Sequence, residues 1–293
     1  MGKIAFVFSG QGAQYSGMGR ELADRSPAAR RIFAAADALR PGTSAQCFSA
    51  SMEELCETKN TQPCMFAVEL AAVAALREAG IRADMAAGFS LGELAALTFA
   101  GAMDFETGFS LVCRRAEHMQ QAAEARDTAM AAVLKLAPSA VRALCADFAE
   151  VYPVNFNCPG QITVSAAAEQ MPAFLAAVKA AGGRAIPLKV RGGFHSPFMA
   201  EAAKAFAADL AAAKLNAPAL PVYANRTAQP SGADVAGTLA GQLDHPVLWA
   251  APVPAMIAAG TDPFPHTRPG PPPLRPPTHP AAAVPTLPPT PPP

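Results

Sequence analysis

Two residues of this 293-residue sequence have the types and settings for nucleophilic catalysis, Ser90 and His195. Ser90 stands at the centre of Gly88-Phe89-Ser90-Leu91-Gly92, with Glu93 directly behind it. A serine hydroxyl becomes a useful nucleophile near neutral pH only when a base takes its proton, and imidazole is the usual base. The glycines allow a sharp turn where the backbone has no room for Cβ. Such a turn presents the hydroxyl at the carboxyl edge of a sheet, with N–H groups of a helix N-terminus nearby. The five-residue pattern also occurs in chance turns, so the role of Ser90 rests on its surroundings. Among the five histidines, His266 and His279 fall in a proline-rich end, and His118 lies mid-helix among polar neighbours and is read as solvated. His245 precedes Pro246 in a loop. His195 follows Gly192-Gly193 between a strand and a helix, where active-site side chains are commonly presented.

The elements that must hold these residues alternate. Lys3 to Ser9 reads as a strand ending in Gly10-Gln11-Gly12, and helical periodicity runs from Arg20 to Leu39. Thr61-Gln62-Pro63 opens the strongest helical run, Cys64 to Ala79, with Asn60 or Thr61 as N-cap. The strand before Ser90 is followed by helices to Phe99 and from Phe105 to Ala125, so a parallel, helix-covered sheet is expected. Between Thr128 and Val190 the order becomes β-α-β-β-α-β, the ferredoxin-like unit, as an insertion. The fold expected is therefore α/β, with a hydrolase-like parallel core formed by 1–126 and 191–260 and a small ferredoxin-like domain over 127–190.

Composition excludes several classes. Hydrophobic residues make up 51%, enough for a substantial core, and the 23 basic and 23 acidic residues cancel. No field for nucleic acid or anionic membrane is implied. Glu69 and Glu93 interrupt the two best apolar stretches, and the first residues lack the apolar length of a signal peptide, so a cytoplasmic protein is expected. The six cysteines lack CxxC spacing and read as free, mostly buried thiols, with no metal site.

Several motifs in register resemble those of the malonyl-CoA:acyl-carrier-protein transacylases and the acyltransferase domains of fatty-acid and polyketide synthases. Phe8-Ser9-Gly10-Gln11-Gly12-Ala13-Gln14 is similar to the family's FPGQGSQ. Thr61-Gln62-Pro63, the Ser90 turn, Arg115, Pro153-Val154-Asn155-Phe156-Asn157, Phe194-His195-Ser196, Gln242-Leu243 and Pro246-Val247-Leu248-Trp249 follow in the family's order, covering roughly residues 3 to 260. The resemblance implies Ser90 as nucleophile, His195 as base, and the backbone N–H groups of Gln11 and Leu91 as oxyanion hole. It implies Arg115 for the malonyl carboxylate, Gln62 lining the site, and Gln242 orienting the base or the acyl group. It also implies an imidazole held by neutral acceptors, without an acidic triad member. Two positions depart from the pattern. Phe89 stands where the family usually has histidine, and Ser9 where it has proline. Phe194-His195 matches the end of the malonyl-type signature HAFH, which places Phe194 among the substrate-binding candidates.

The activity implied is ping-pong malonyl transfer from malonyl-CoA to the phosphopantetheine thiol of acyl carrier protein. No cofactor is expected on this chain, nor nucleic-acid or membrane partners, and a monomer is expected. The alternatives are an α/β-hydrolase-type (thio)esterase, for which the interval between Ser90 and His195 offers no convincing acid, and an inactive remnant damaged at its C-terminus. The second arises because the resemblance stops near residue 260. From Asp262 the sequence is dominated by proline, with no acidic residue after it. A frameshift near codon 262, followed by a disordered tail over 261–293, is the expectation there.

Overall fold

A computed structural model describes residues 2–188, 190 and 192–261. Its centre is a three-stranded parallel sheet in the order β1-β2-β7: β1 Ala5–Phe8, β2 Met85–Gly88 and β7 Val222–Tyr223. Alternate strand residues face opposite layers, as the pleat requires. Phe6, Phe8 and Ala86 enter the main core, whereas Ala5, Met85, Ala87 and Tyr223 pack with Met256 on the other face. A parallel sheet covered on both faces reads as short runs of small and apolar residues, as these strands do.

Helices supply the cover. α1 Arg20–Arg25 and α2 Pro27–Leu39 are separate, because Pro27 starts a new helix capped by the Ser26 hydroxyl, which accepts from Ala29 N at 3.1 Å. The single helix expected from Arg20 to Leu39 is thus two. α3 Thr43–Ser49 and α4 Met52–Leu55 are one- or two-turn pieces that periodicity could not reveal. α5 Thr58–Glu78 starts earlier than expected, with Pro63 inside it. Proline there forfeits one i→i−4 bond near the helix start and does not end the helix. Asn60 and Thr61 are helical and tie α5 to the preceding segment: Asn60 Nδ2 donates to Glu54 O at 3.1 Å and Thr61 Oγ1 to Leu55 O at 2.5 Å. The middle of α5 is buried all round, including Glu69. Burial pushes that carboxyl well above the usual carboxylate range, and the backbone N–H of Ser9 opposes the shift only in part. Neither of its oxygens has a hydrogen-bond partner of good geometry. α6 Leu91–Phe99 and α7 Phe105–Ala125 follow β2.

The chain then forms a second sheet of four antiparallel strands in the order β4-β5-β3-β6. Its elements are β3 Thr128–Leu134, α8 Pro138–Ala146, β4 Val151–Cys158, β5 Gln161–Ala167, α9 Met171–Ala180 and β6 Arg184–Pro187. This is the ferredoxin-like order, with its own core around Val133, Val141, Val164, Phe174 and Val178. A later segment is stitched onto it: Phe156 N donates to Val247 O at 2.9 Å, Val247 N to Val154 O at 2.8 Å and Ala250 N to Phe156 O at 2.7 Å. The same segment reaches back to the first sheet through Leu248 N and Asn225 O at 2.8 Å.

A 3-10 turn, Pro197–Met199, leads into α10 Ala200–Ala212, and α11 Val235–Ala240 and α12 Pro252–Ala258 complete the chain's described elements. After α12, Lys3 N donates to Gly260 O at 2.9 Å and Lys3 forms a parallel bridge with Thr261. The proline-rich expectations from 262 onward, including His266 and His279, lie outside the described residues. His118 departs from the solvated reading: its Nε2 is 2.7 Å from Asp209 Oδ2, and its side chain is 15% exposed. The six cysteines are free; Cys47, Cys64 and Cys145 are buried and Cys56 is exposed. Among the described residues no helix is long and apolar enough to cross a membrane.

Candidate active site

The turn after β2 gives Ser90 backbone angles of φ 53° and ψ −107°, outside the ordinary regions for a side-chain-bearing residue. Such strain persists only where the surroundings enforce it. Here they do: a Cβ on Gly88 would overlap the Gly92 carbonyl, and one on Gly92 would overlap the carbonyls of Phe8 and Ser9. The elbow is therefore pressed against the end of β1 with no space for anything larger than glycine. Asn225, two residues past β7, clamps it from the third strand. Its Oδ1 accepts from Ser90 N at 2.6 Å, and its Nδ2 donates to Gly88 O at 2.5 Å.

His195 reaches the serine from the turn after Gly192-Gly193, itself at φ 60°. Its Nδ1 lies 2.9 Å from the backbone carbonyl of Gln242, and its Nε2 lies 2.8 Å from Ser90 Oγ. A carbonyl can only accept, so the proton sits on Nδ1 and the Nε2 lone pair faces the serine hydroxyl. Burial, and next the charge of Arg115, lower the imidazole pKa to about 4. His195 is thus neutral and ready to accept a proton across the neutral range.

Arg115, on α7, is wholly buried. Its Nη1 donates to Gln62 Oε1 at 2.7 Å, and its Nη2 to Gln242 Oε1 at 2.8 Å and to Ser90 Oγ at 3.1 Å. Nε has no partner. Burial draws the guanidinium pKa down to about 10, with Glu93 opposing the change, so the group stays cationic. Glu93 is also wholly buried; burial raises its carboxyl to about 7, offset by hydrogen bonds from Gln242 and Asn225 and by Arg115. Ser90 Oγ therefore sits between a neutral base and a fixed cation. Among the described residues no group of His, Cys, Asp and Glu could hold a metal ion.

The sequence matches the family model of the acyl transferase domain over residues 5–255. The chain belongs to the acyl transferase domain family. Among its relatives, the malonyl CoA-acyl carrier protein transacylase of Bacillus subtilis is 38% identical over 278 residues, covering 92% of this chain and 88% of that protein. The crystal structure of the malonyl CoA-acyl carrier protein transacylase from Clostridium perfringens superposes with a TM-score of 0.88 at 31% identity, covering 92% of this chain and 87% of that one. A malonyl-transacylase solved in complex with its type II PKS acyl-carrier protein superposes equally well, with a TM-score of 0.88 at 33% identity, covering 92% and 89% of the two chains.

The acyl transferase fold brings five of the sequence-derived residues into one hydrogen-bonded cluster: Ser90, His195, Arg115, Gln62 and Gln242. It also separates Arg115 from Arg114, which is half exposed and pairs with Asp209 and Glu117 at the surface. Leu91 opens α6, so its N–H has no acceptor within the helix. Gln11 follows the end of β1 beside the elbow, its side chain donating to Thr58 Oγ1 at 3.3 Å. Phe194 is buried, its ring lying over Gly192 and joining the main core. Phe89 packs edge-on against Trp249, with ring centroids 5.4 Å apart, and crowds Gly10. Sequence reasoning gave no task to Asn225 or Glu93. Asparagine just past a strand is commonplace; only the spatial return of β7 beside β2 shows what this one holds.

Proposed function

We propose that this acyl transferase moves a malonyl group from malonyl-CoA to the phosphopantetheine thiol of acyl carrier protein through a malonyl ester of Ser90. One observation carries the reading: Ser90 Oγ is shared by His195 Nε2 and by a buried arginine whose Nε is unpartnered. A base on the hydroxyl suits acyl transfer, and a fixed cation beside it suits an acyl group bearing its own carboxylate. In the first half-reaction Ser90 Oγ attacks the thioester carbonyl while its proton passes to His195 Nε2. The oxyanion is met by the N–H groups of Gln11 and Leu91, and its collapse releases the coenzyme A thiol with that proton. In the second half-reaction His195 takes the proton of the carrier thiol, which attacks the ester, and Ser90 recovers its proton as the thioester forms. The Gln242 carbonyl keeps the imidazole in the working tautomer throughout, so a neutral acceptor replaces the acid of a triad. The relative solved with its carrier protein supports the choice of acceptor. Incubation with radiolabelled malonyl-CoA, followed by holo acyl carrier protein, tests the proposal. A stable label on the Ser90 peptide that then moves to the carrier thiol is expected; release to water points to a thioesterase, and no label to an inactive protein.

A further inference from the structure

Resting on that reading, Glu93 has a task of its own. It lies in the first turn of α6, wholly buried, with Oε1 unpartnered. Its Oε2 accepts from Gln242 Nε2 at 2.5 Å and from Asn225 N at 3.3 Å. Gln242 Nε2 also donates to Ser90 O at 2.9 Å. Both oxygens facing that nitrogen are acceptors, which fixes the amide one way round: the NH₂ points at Glu93 and Ser90, and Oε1 must point at Arg115. Since the Gln242 carbonyl also holds His195, one residue carries both the base and the cation, and Glu93 sets its side chain.

Charge makes the second half of the argument. The groups facing Glu93 are Arg115 from α7, the amide of Gln242, and the backbone N–H of Asn225; α5 contributes the uncharged Gln62 behind Arg115, and His195 beyond Gln242 is neutral. With Glu93 ionised, the empty site is balanced. A malonyl carboxylate on Arg115 would leave one unmatched buried negative charge, a costly state unless one carboxylate is protonated. We propose that Glu93 is a positioning residue that orients Gln242, and through it Arg115, and that it takes up a proton when the acyl carboxylate binds. The proton comes from solvent and returns to it when the malonyl group leaves. Its carboxyl, poised near 7, suits that exchange.

Calorimetry on the Ser90→Ala protein, which binds without reacting, tests this in two buffers of different ionisation enthalpy, with acetyl-CoA as the baseline for the coenzyme. Malonyl-CoA should take up about three-quarters of a proton more than acetyl-CoA near pH 7.5, and its affinity should fall roughly fivefold from pH 7 to pH 8. Adding Glu93→Gln, a permanently neutral isostere, should preserve malonyl binding and remove both effects. Adding Glu93→Ala should weaken malonyl-CoA at least about tenfold and leave acetyl-CoA within about twofold, a loss that Glu93→Gln does not show. Proton uptake that persists in Glu93→Gln, its absence in the parent, or an unchanged malonyl margin in Glu93→Ala each overturns the proposal. If the unmutated protein also forms no malonyl-serine, the transfer reading falls as well; if it forms the ester normally, the role of Glu93 alone is refuted.

Discussion

Replacing Arg115 with alanine separates the chemistry of acyl transfer from the choice of acyl group. The guanidinium is wholly buried and makes hydrogen bonds of 2.7, 2.8 and 3.1 Å to Gln62, Gln242 and Ser90. Its Nε is still unpartnered. A carboxylate docked there forms a charge-assisted pair in a buried site, and deleting the cation removes ~2–4 kcal/mol of binding. That converts to a loss of roughly 30- to 1000-fold in malonyl loading. The substitution also strands the Gln62 and Gln242 side-chain oxygens, each costing about 1–3 kcal/mol of fold stability. Instability alone lowers loading of every substrate equally, so the quantity to measure is a ratio. Rapid-quench acylation with malonyl-CoA and acetyl-CoA, read by intact mass, gives it directly. The malonyl rate should collapse and the acetyl rate should hold or rise, since Arg115 no longer engages Ser90 Oγ. Equal loss of both substrates, after correction for the folded fraction, refutes the assignment and leaves Arg115 as a structural cation.

Three further outcomes follow from the same geometry. Because burial and Arg115 hold His195 near 4, acetyl loading should be flat with pH above about 5 and fall below it, and Arg115→Met should move that break upward in a pH–rate profile. The depressed imidazole also withdraws up to about 3 kcal/mol of stability as pH falls from 6.5 to about 4, whereas the raised Glu93 carboxyl withdraws a similar amount as pH rises from 4.5 to about 7. The two slopes oppose each other, so thermal unfolding of the parent should vary little across pH 4.5–6.5 and Glu93→Gln should uncover a Tm that rises with pH; parallel curves for the two proteins would contradict the sign of either shift. Gly92→Ala should abolish loading or folding outright, since the added methyl meets backbone carbonyls that have no rotamer to escape by; a soluble variant that forms the acyl-enzyme at the parent's rate would show that the contact between elbow and β1 is dispensable.

How much of this was legible in the sequence depends on how locally each feature is encoded. The elbow was readable because its two glycines are a local demand, made visible in the overlaps a Cβ would create. The small domain was readable because its strands and helices are long enough to show their periods. Pro63 misled because proline often marks a first turn, and here the helix had already begun at Thr58. His118 misled because its partner, Asp209, lies on another helix and leaves no local trace. Arg115 and Arg114 are indistinguishable by type; family register chose between them, and burial in the fold now separates them physically. Glu93 was visible directly behind the elbow but had no assignable task, because its partners, Gln242 and Asn225, lie more than a hundred positions along the chain.

The segment that runs along β4 while holding Asn225 has a consequence for recombination. By chain order the antiparallel unit looks like a self-contained cassette, entered after α7 and left before His195. By hydrogen bonding it ends elsewhere, since Val247 and Ala250 continue its sheet beyond the edge strand. A chimera cut at the two obvious junctions would join one protein's β4 to another's 247–250, and any mismatch would be felt at Asn225, which grips the nucleophile's own backbone. The heritable unit of this architecture is therefore discontinuous: an exchange that spares the serine must carry both pieces together.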